Sequence, residues 1–100
     1  MSARKPPFLS VVVAFKNEAH NLPILVNSLI AQTYPPHLFE VILVDDHSTD
    51  DTAARTNLPP NFRVINSQGI GKKEAIKSGI TVAVGETIVT TDADCHAGDN

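Results

Sequence analysis

Leu9–Leu22 reads LSVVVAFKNEAHNL, and its two halves obey different rules. Leu9–Phe15 is a continuous apolar run rich in β-branched residues, without the alternation of a strand that has one face in water. Such a run marks a strand buried on both faces, as in a parallel sheet covered by helices. From Leu22 the period changes: Leu22, Leu25, Val26, Leu29 and Ile30 fall on one helical face. Asn21 is the expected N-cap, Pro23 fits the first turn, and Pro35 and Pro36 stop the helix. A buried strand feeding an amphipathic helix is the first half of a β-α-β unit.

The rest of the chain repeats that grammar. Val41–Val44 (VILV) is a second buried strand and runs straight into Asp45 and Asp46. His47–Asp51 is turn-rich, with Ser48, Thr49 or Asp50 available to cap a short helix over Thr52–Thr56. Phe62–Ile65 is a third strand, placed nearer a sheet edge by its shortness and by Arg63. A glycine-bearing loop, Ser67–Gly71, opens a helix expected over 72–84, with apolar positions Ile76, Ile80 and Val84 and with Ala75 and Ala83 alongside. Gly79 on that helix would let it lie close to a strand, and Gly85 is the expected C′ residue. Thr87–Thr91 is the fourth strand and delivers Asp92 and Asp94. Alternation of this kind predicts an α/β fold of three layers, α/β/α. Its mainly parallel sheet is Rossmann-like, with right-handed crossovers and strand order 3-2-1-4. Residues 1–7 are expected to be a disordered lead-in and 8–100 part of one domain.

Bulk properties narrow the function. The 100 residues suffice for one small domain, and 42% hydrophobic content supports a packed core. A net charge of −3 argues against nucleic acid as a partner, since a phosphate backbone needs a basic face. One cysteine, Cys95, allows no internal disulfide and suits a reducing compartment. Arg4 and Lys5 precede Pro6, Pro7 and a short apolar run, which makes a poor signal peptide and no membrane span. The expected location is cytoplasmic, either free or at the cytoplasmic face of a membrane through segments outside these residues. The closing DADCHAGDN is polar and turn-forming, so the chain reads as a fragment ending inside its own acidic loop.

Ligands of open α/β sheets bind beyond the carboxyl ends of the strands, where strand order reverses. Three of the four strand ends here are densely polar: Lys16, Asn17 and Glu18; Asp45 and Asp46; Asp92 and Asp94. In the order 3-2-1-4 they are neighbours, spanning roughly 10 Å, about the breadth of one nucleoside. Asp92 and Asp94 lie two apart on an extended segment and point to opposite sides, so one would turn toward a cation and the other toward a ribose or base. A hard cation such as Mg2+ or Mn2+ takes such oxygen ligands and leaves positions for substrate phosphates. At ~4 Å and an effective dielectric of ~20, each unit-charge pair with a leaving diphosphate is worth about 4 kcal/mol. A D-x-D pair alone also suits a solvated turn. Its place after a buried strand, opposite a second acidic pair, favours the ligand role. Asp45 and Asp50 suit capping as well as binding, whereas Asp46 suits the imide N–H of a uracil ring. Glu18 also fits the first turn of the helix by its charge. Gly69 and Gly71 before Lys72 resemble a phosphate loop but lack the standard glycine fingerprints, which favours a flexible turn with a solvated lysine pair. His20, His37 and His47 are scattered and are assigned no ligand role; His96, near Asp94, is an additional candidate metal ligand.

SVVVAFKNEAHNL, VILVDDHSTDDT, GIGKKEAIKSGI and GETIVTTDAD occur in an order and spacing that resembles family 2 glycosyltransferases with the GT-A fold. The resemblance runs from Leu9 to Asp94, and pairing the VDD-x-S-x-D-x-T block with a later DAD makes it specific. It implies an inverting transferase using a nucleotide-diphosphate sugar and a divalent metal, Mn2+ or Mg2+. A UDP-sugar is the first expectation and a GDP-sugar the second, with a saccharide or lipid-linked acceptor. By that resemblance Asp46 contacts the base, Asp92 the ribose or base region, and Asp94 the metal. Ala14, Lys16 and Glu18 line the nucleoside pocket, and Lys72 joins the nucleotide-binding set. Members often carry tyrosine at the position of Lys16, so a base-stacking partner is missing there and a phosphate-facing cation is the alternative. The family's general base falls beyond residue 100, so residues 1–100 are expected to bind nucleotide without transferring sugar.

Three other readings compete. A receiver-type phosphoacceptor domain would also open on a strand like VILVDD, but leaves the first forty residues unexplained and lacks the later strand-end Thr and Lys. A sugar nucleotidyltransferase needs a glycine-rich basic loop after its first strand, and FKNEAHNL has no glycine. A non-catalytic nucleotide-binding module remains compatible with these residues.

Overall fold

A computed structural model describes residues 7–32, 34–50 and 57–92. Four strands form one parallel sheet: β1 (Leu9–Phe15), β2 (Phe39–Asp45), β3 (Phe62–Asn66) and β4 (Thr87–Asp92), in the order β3-β2-β1-β4. Two helices, α1 (Asn21–Ile30) and α2 (Lys72–Val82), complete the described elements, with a single 3-10 turn at Pro36–Leu38 ahead of β2. The order and direction of the strands are those expected from the apolar runs. The expected short helix over 52–56 lies outside the described residues, as do residues 1–6 of the expected lead-in.

Two central strands flanked by two others explain why β1 and β2 read as unbroken apolar runs. Val12, Val13 and Val41–Val44 are all fully buried. Their side chains alternate between two cores. Val11, Val13, Phe15, Val41 and Leu43 pack with Leu22, Leu25 and Val26 of α1, while Val12, Ala14, Ile42 and Val44 pack with Ala75 of α2. One helix therefore covers each face, and three layers result.

The α1 face matches its sequence pattern at Leu22, Leu25 and Val26, with Leu29 half-buried, but Ile30 at the last turn is 49% exposed and the cap is not the expected one. His20 is the N-cap residue, with no side-chain cap hydrogen bond, and Asn21 is already helical. Asn21 donates instead from Nδ2 to Glu18 Oε1 at 2.8 Å, and Leu22 N–H bonds Glu18 O at 2.8 Å. This entry turn satisfies the Leu22 N–H with backbone from the preceding loop.

In α2 the apolar stripe and the buried face differ. The buried residues are Ala75, Ser78 and Gly79, while Ile80 is 42% and Val84 73% exposed. Close approach explains the choice. A Cβ on Gly79 would stand 2.3 Å from Val12 Cγ1 and 3.0 Å from Val44 Cγ2. Small residues let the helix sit directly on the two central strands, and the larger Ile80 is excluded from that contact. α2 also ends at Val82 with Ala83 as C-cap, so Gly85 is not its C′ residue. Gly85 is needed where the chain passes β1: its N–H donates to Ser10 Oγ at 2.7 Å, and an added Cβ would meet Ser10 N at 2.6 Å.

The amino end of the sheet is closed by a polar network. Ser10 is fully buried, and its hydroxyl donates to Glu40 Oε2 at 2.6 Å. The same carboxylate oxygen accepts Val84 N–H at 2.9 Å, and Arg63 lies 3.6 Å from Oε1 while donating to Val82 O at 3.0 Å. Strands β1, β2 and β3 are thereby fastened to the end of α2. No helix of the described residues is long and apolar enough to cross a membrane.

Candidate functional site

The opposite, carboxyl end of the sheet gathers the candidate residues. In the strand register Phe15 pairs with Asp45, and Ala14 pairs with Asp92. The ends of β2, β1 and β4 are thus consecutive on one rim, about 10 Å across at standard strand spacing. Ladder contacts continue past the strands: Asp46 N–H bonds Phe15 O at 2.8 Å, and Ser67 N–H bonds Asp45 O at 2.9 Å.

Asp46 is the centre of this rim. It is only 7% exposed, and its Oδ1 accepts the N–H of Gly71 at 3.1 Å. Gly71 has φ 100°, a conformation that favours glycine, and is the N-cap residue of α2. Asp46 therefore ties the end of β2 to the loop that launches α2, and the first residue of that helix, Lys72, is exposed beside the rim. Asp45 makes a local turn instead: its Oδ1 accepts Ser48 N–H at 2.8 Å. Of the two readings left open for Asp45, the local structural one describes its observed contact.

Among the described residues two non-glycine residues adopt left-handed backbone, and both lie on this rim: Asn17 at φ 54° and His47 at φ 60°. Such a conformation costs roughly 1–2 kcal/mol outside glycine, less for asparagine, and persists where surrounding contacts enforce it. The contacts are present. Asn17 Oδ1 accepts Thr49 N–H at 2.8 Å, Asp50 N–H at 3.1 Å and Thr49 Oγ1 at 3.3 Å. Asn17 N–H donates to Ser48 Oγ at 2.9 Å, and Ala19 N–H reaches Asp50 Oδ2 at 3.4 Å. His47 Nε2 lies 2.9 Å from Gly69 O, which also accepts the Ser67 hydroxyl at 2.8 Å.

The loops after β1, β2 and β3 are consequently bonded to one another. Lys16 is exposed and Glu18 half-buried on the first, Asp46 sits at the base of the second, and Lys72 follows the third. Ala14 is buried directly beneath, in the core under α2. Asp92 ends β4 at the same rim by register, whereas Asp94, the expected metal ligand, and His96 lie outside the described residues. Sequence reasoning named Asn17 among the polar strand-end residues, Ser48 as a possible cap and His47 as having no ligand role, but gave none of them a contact between loops. The signal available was an Asn and a His just past buried strands, where a left-handed turn suits Asn, but their partners come from other loops.

Among the described residues no three His, Cys, Asp or Glu side chains gather as a metal site. A hard divalent cation shared between one or two carboxylates and the oxygens of a bound diphosphate does not require such a cluster. Asp46 and, by strand register, Asp92 bring oxygen-donor residues to this rim.

Comparison with known proteins agrees with the fold. The family model described as Glycosyl transferase family 2 matches residues 10–99. An undecaprenyl-phosphate 4-deoxy-4-formamido-L-arabinose transferase of Pseudomonas savastanoi is 35% identical over 87% of this chain and 28% of its own length. Glycosyltransferase AglE of Haloferax volcanii is 34% identical over 89% of this chain and 31% of its own. The chain therefore spans about three-tenths of these relatives. Among solved structures, the mannosyltransferase PcManGT of Pyrobaculum calidifontis, in complex with GDP-Man and Mn2+, superposes with a TM-score of 0.79 at 27% identity, covering 90% of this chain and 28% of that one. S. aureus TarS 1–349 in complex with UDP-GlcNAc gives a TM-score of 0.68 at 33% identity, over 86% and 26%. The sheet order, the two covering helices and these matches lead to one conclusion: the chain belongs to glycosyl transferase family 2 and has the Rossmann-like architecture of GT-A glycosyltransferases.

Proposed function

We propose that this chain forms the donor-nucleotide site of an inverting glycosyltransferase that uses a nucleotide-diphosphate sugar and Mn2+ or Mg2+. The observation that carries the reading is the bonding of three strand-end loops around Asp46, at the rim where open α/β sheets bind ligands. Asp46 reads the base and Asp92 the ribose or base region. Ala14, Lys16 and Glu18 line the nucleoside pocket, and Lys72 faces the phosphates. Asp94 holds the cation, which lowers the charge cost of a departing nucleoside diphosphate. With no aromatic residue at Lys16, the base is held by hydrogen bonding at Asp46 more than by stacking.

Complexes of similar proteins with GDP-Man and Mn2+ and with UDP-GlcNAc support both donor classes, and the undecaprenyl-phosphate relative supports a lipid-linked acceptor. A cytoplasmic location, free or at a membrane face, suits such an acceptor. Inversion needs a base that deprotonates the acceptor hydroxyl for in-line attack on the anomeric carbon. That base is assigned to a part of the protein outside these 100 residues. Residues 1–100 accordingly bind donor nucleotide and transfer no sugar.

Calorimetric titration with UDP and GDP, with and without Mn2+, tests this reading. Metal-dependent binding of either nucleotide is expected. Absence of binding with both, or labelling of an aspartate by acetyl phosphate, would overturn it in favour of a module without donor chemistry or a phosphoacceptor domain.

A further inference from the structure

Asn17 does more on this rim than its place in the sequence announces. It is exposed, yet a single oxygen, Oδ1, accepts three donors from Thr49 and Asp50, while its N–H is held by Ser48 Oγ. The residue before it, Lys16, is therefore pinned from both sides. On one side Phe15 O accepts Asp46 N–H at 2.8 Å, and on the other Asn17 N–H bonds Ser48 at 2.9 Å. Left-handed backbone at Asn17 turns the chain so that both anchors hold at once. All four bonds made by Asn17 join the loop after β1 to the loop after β2.

We propose that Asn17 is a positioning residue of the donor site: it touches no ligand, and it holds Lys16 at a fixed place beside Asp46. The inference rests on the rim being a nucleotide site. Ordering a loop backbone on binding carries an entropy cost, so a Lys16 whose backbone is already fixed contributes more to binding than one on a free loop. An oxygen acceptor is required at residue 17, together with a residue that tolerates the left-handed turn. Asparagine and aspartate meet both conditions, and glycine only the second.

These requirements separate in three variants. Asn17→Gly keeps the backbone conformation and deletes the acceptor, so the fold survives, which a thermal melt checks. Asn17→Asp keeps the acceptor. Lys16→Ala is made in the wild-type and Asn17→Gly backgrounds as a double-mutant cycle. UDP and GDP are titrated with Mn2+ into each protein.

Asn17→Gly is expected to weaken the tighter nucleotide about tenfold and Asn17→Asp less than about threefold. Lys16→Ala is expected to weaken binding in the wild type and to cost nothing further beside Asn17→Gly. A merely structural role would lower the melting temperature and leave the two substitutions independent. Unchanged affinity in Asn17→Gly, or equal costs of Lys16→Ala in both backgrounds (zero included), overturns the positioning role alone. Failure of the wild type to bind either nucleotide overturns the donor site itself and this inference with it.

Discussion

The two ends of the sheet are both tied by side chains, but in opposite ways. At the amino end, Ser10, Glu40 and Arg63 fasten buried strand residues to the end of α2, and the shared carboxylate is largely withdrawn from water. At the carboxyl end, Asn17, Asp46 and His47 fasten loops to loops, mostly at exposed positions, and two of these residues carry left-handed backbone. One network stabilises the fold and the other arranges it. Strain and exposed polar density are concentrated at the end proposed to meet ligand groups, and the opposite end supplies the rigidity.

Because α2 carries one end of each network, loosening it should damage both. Gly79→Ala would drive a Cβ to 2.3 Å from Val12 Cγ1, so α2 must lift from the strands. A loss of about 3 kcal/mol in urea unfolding is expected, with weaker nucleotide binding by the protein that remains folded. Glu40→Ala should separate the ends. It leaves the Ser10 hydroxyl and Val84 N–H without their acceptor, and about 2–3 kcal/mol of stability should be lost while the nucleotide affinity of folded protein is unchanged. A large affinity loss in that variant would mean that the two networks are not independent.

Substitutions on the other rim should show the reverse pattern. Asp46→Asn keeps an oxygen for Gly71 N–H but turns the other carboxylate atom into a donor, mismatched to an imide N–H. UDP affinity should fall by about 1.5–3 kcal/mol in calorimetry with little change in unfolding midpoint. His47→Gly relieves left-handed strain and removes the bond to Gly69 O, two changes of about 1 kcal/mol and opposite sign. Its stability should stay within about 0.5 kcal/mol of wild type by urea unfolding.

The contrast also explains what could be read from the chain. LSVVVAF and VILV announce β1 and β2 because a strand buried on both faces must be apolar throughout, and that requirement is local. The rim was legible as acidic strand ends for the same reason: strand ends follow from strands. Ile76, Ala75 and the close approach at Gly79 were read correctly, but Ile80 and Val84 misdirected the reading of α2, since apolar periodicity measures hydrophobicity whereas this contact selects small volume at Ala75, Ser78 and Gly79. The roles of Asn17 and His47 were not legible. Their partners lie about thirty and about twenty residues away in other loops, and only the assembled sheet brings them together.

The claim on which the account stands is that nucleotide and cation meet at the rim centred on Asp46. Paramagnetic broadening of backbone amide signals by Mn2+, with UDP or GDP present, tests it most directly. Broadening should be strongest at Thr91 and Asp92, next to the proposed cation ligand, and strong at Phe15–Glu18 and Asp45–His47, and weakest at Ser10, Glu40 and Gly85. Strongest broadening around Glu40 and Gly85, or equal broadening at both ends, would contradict it.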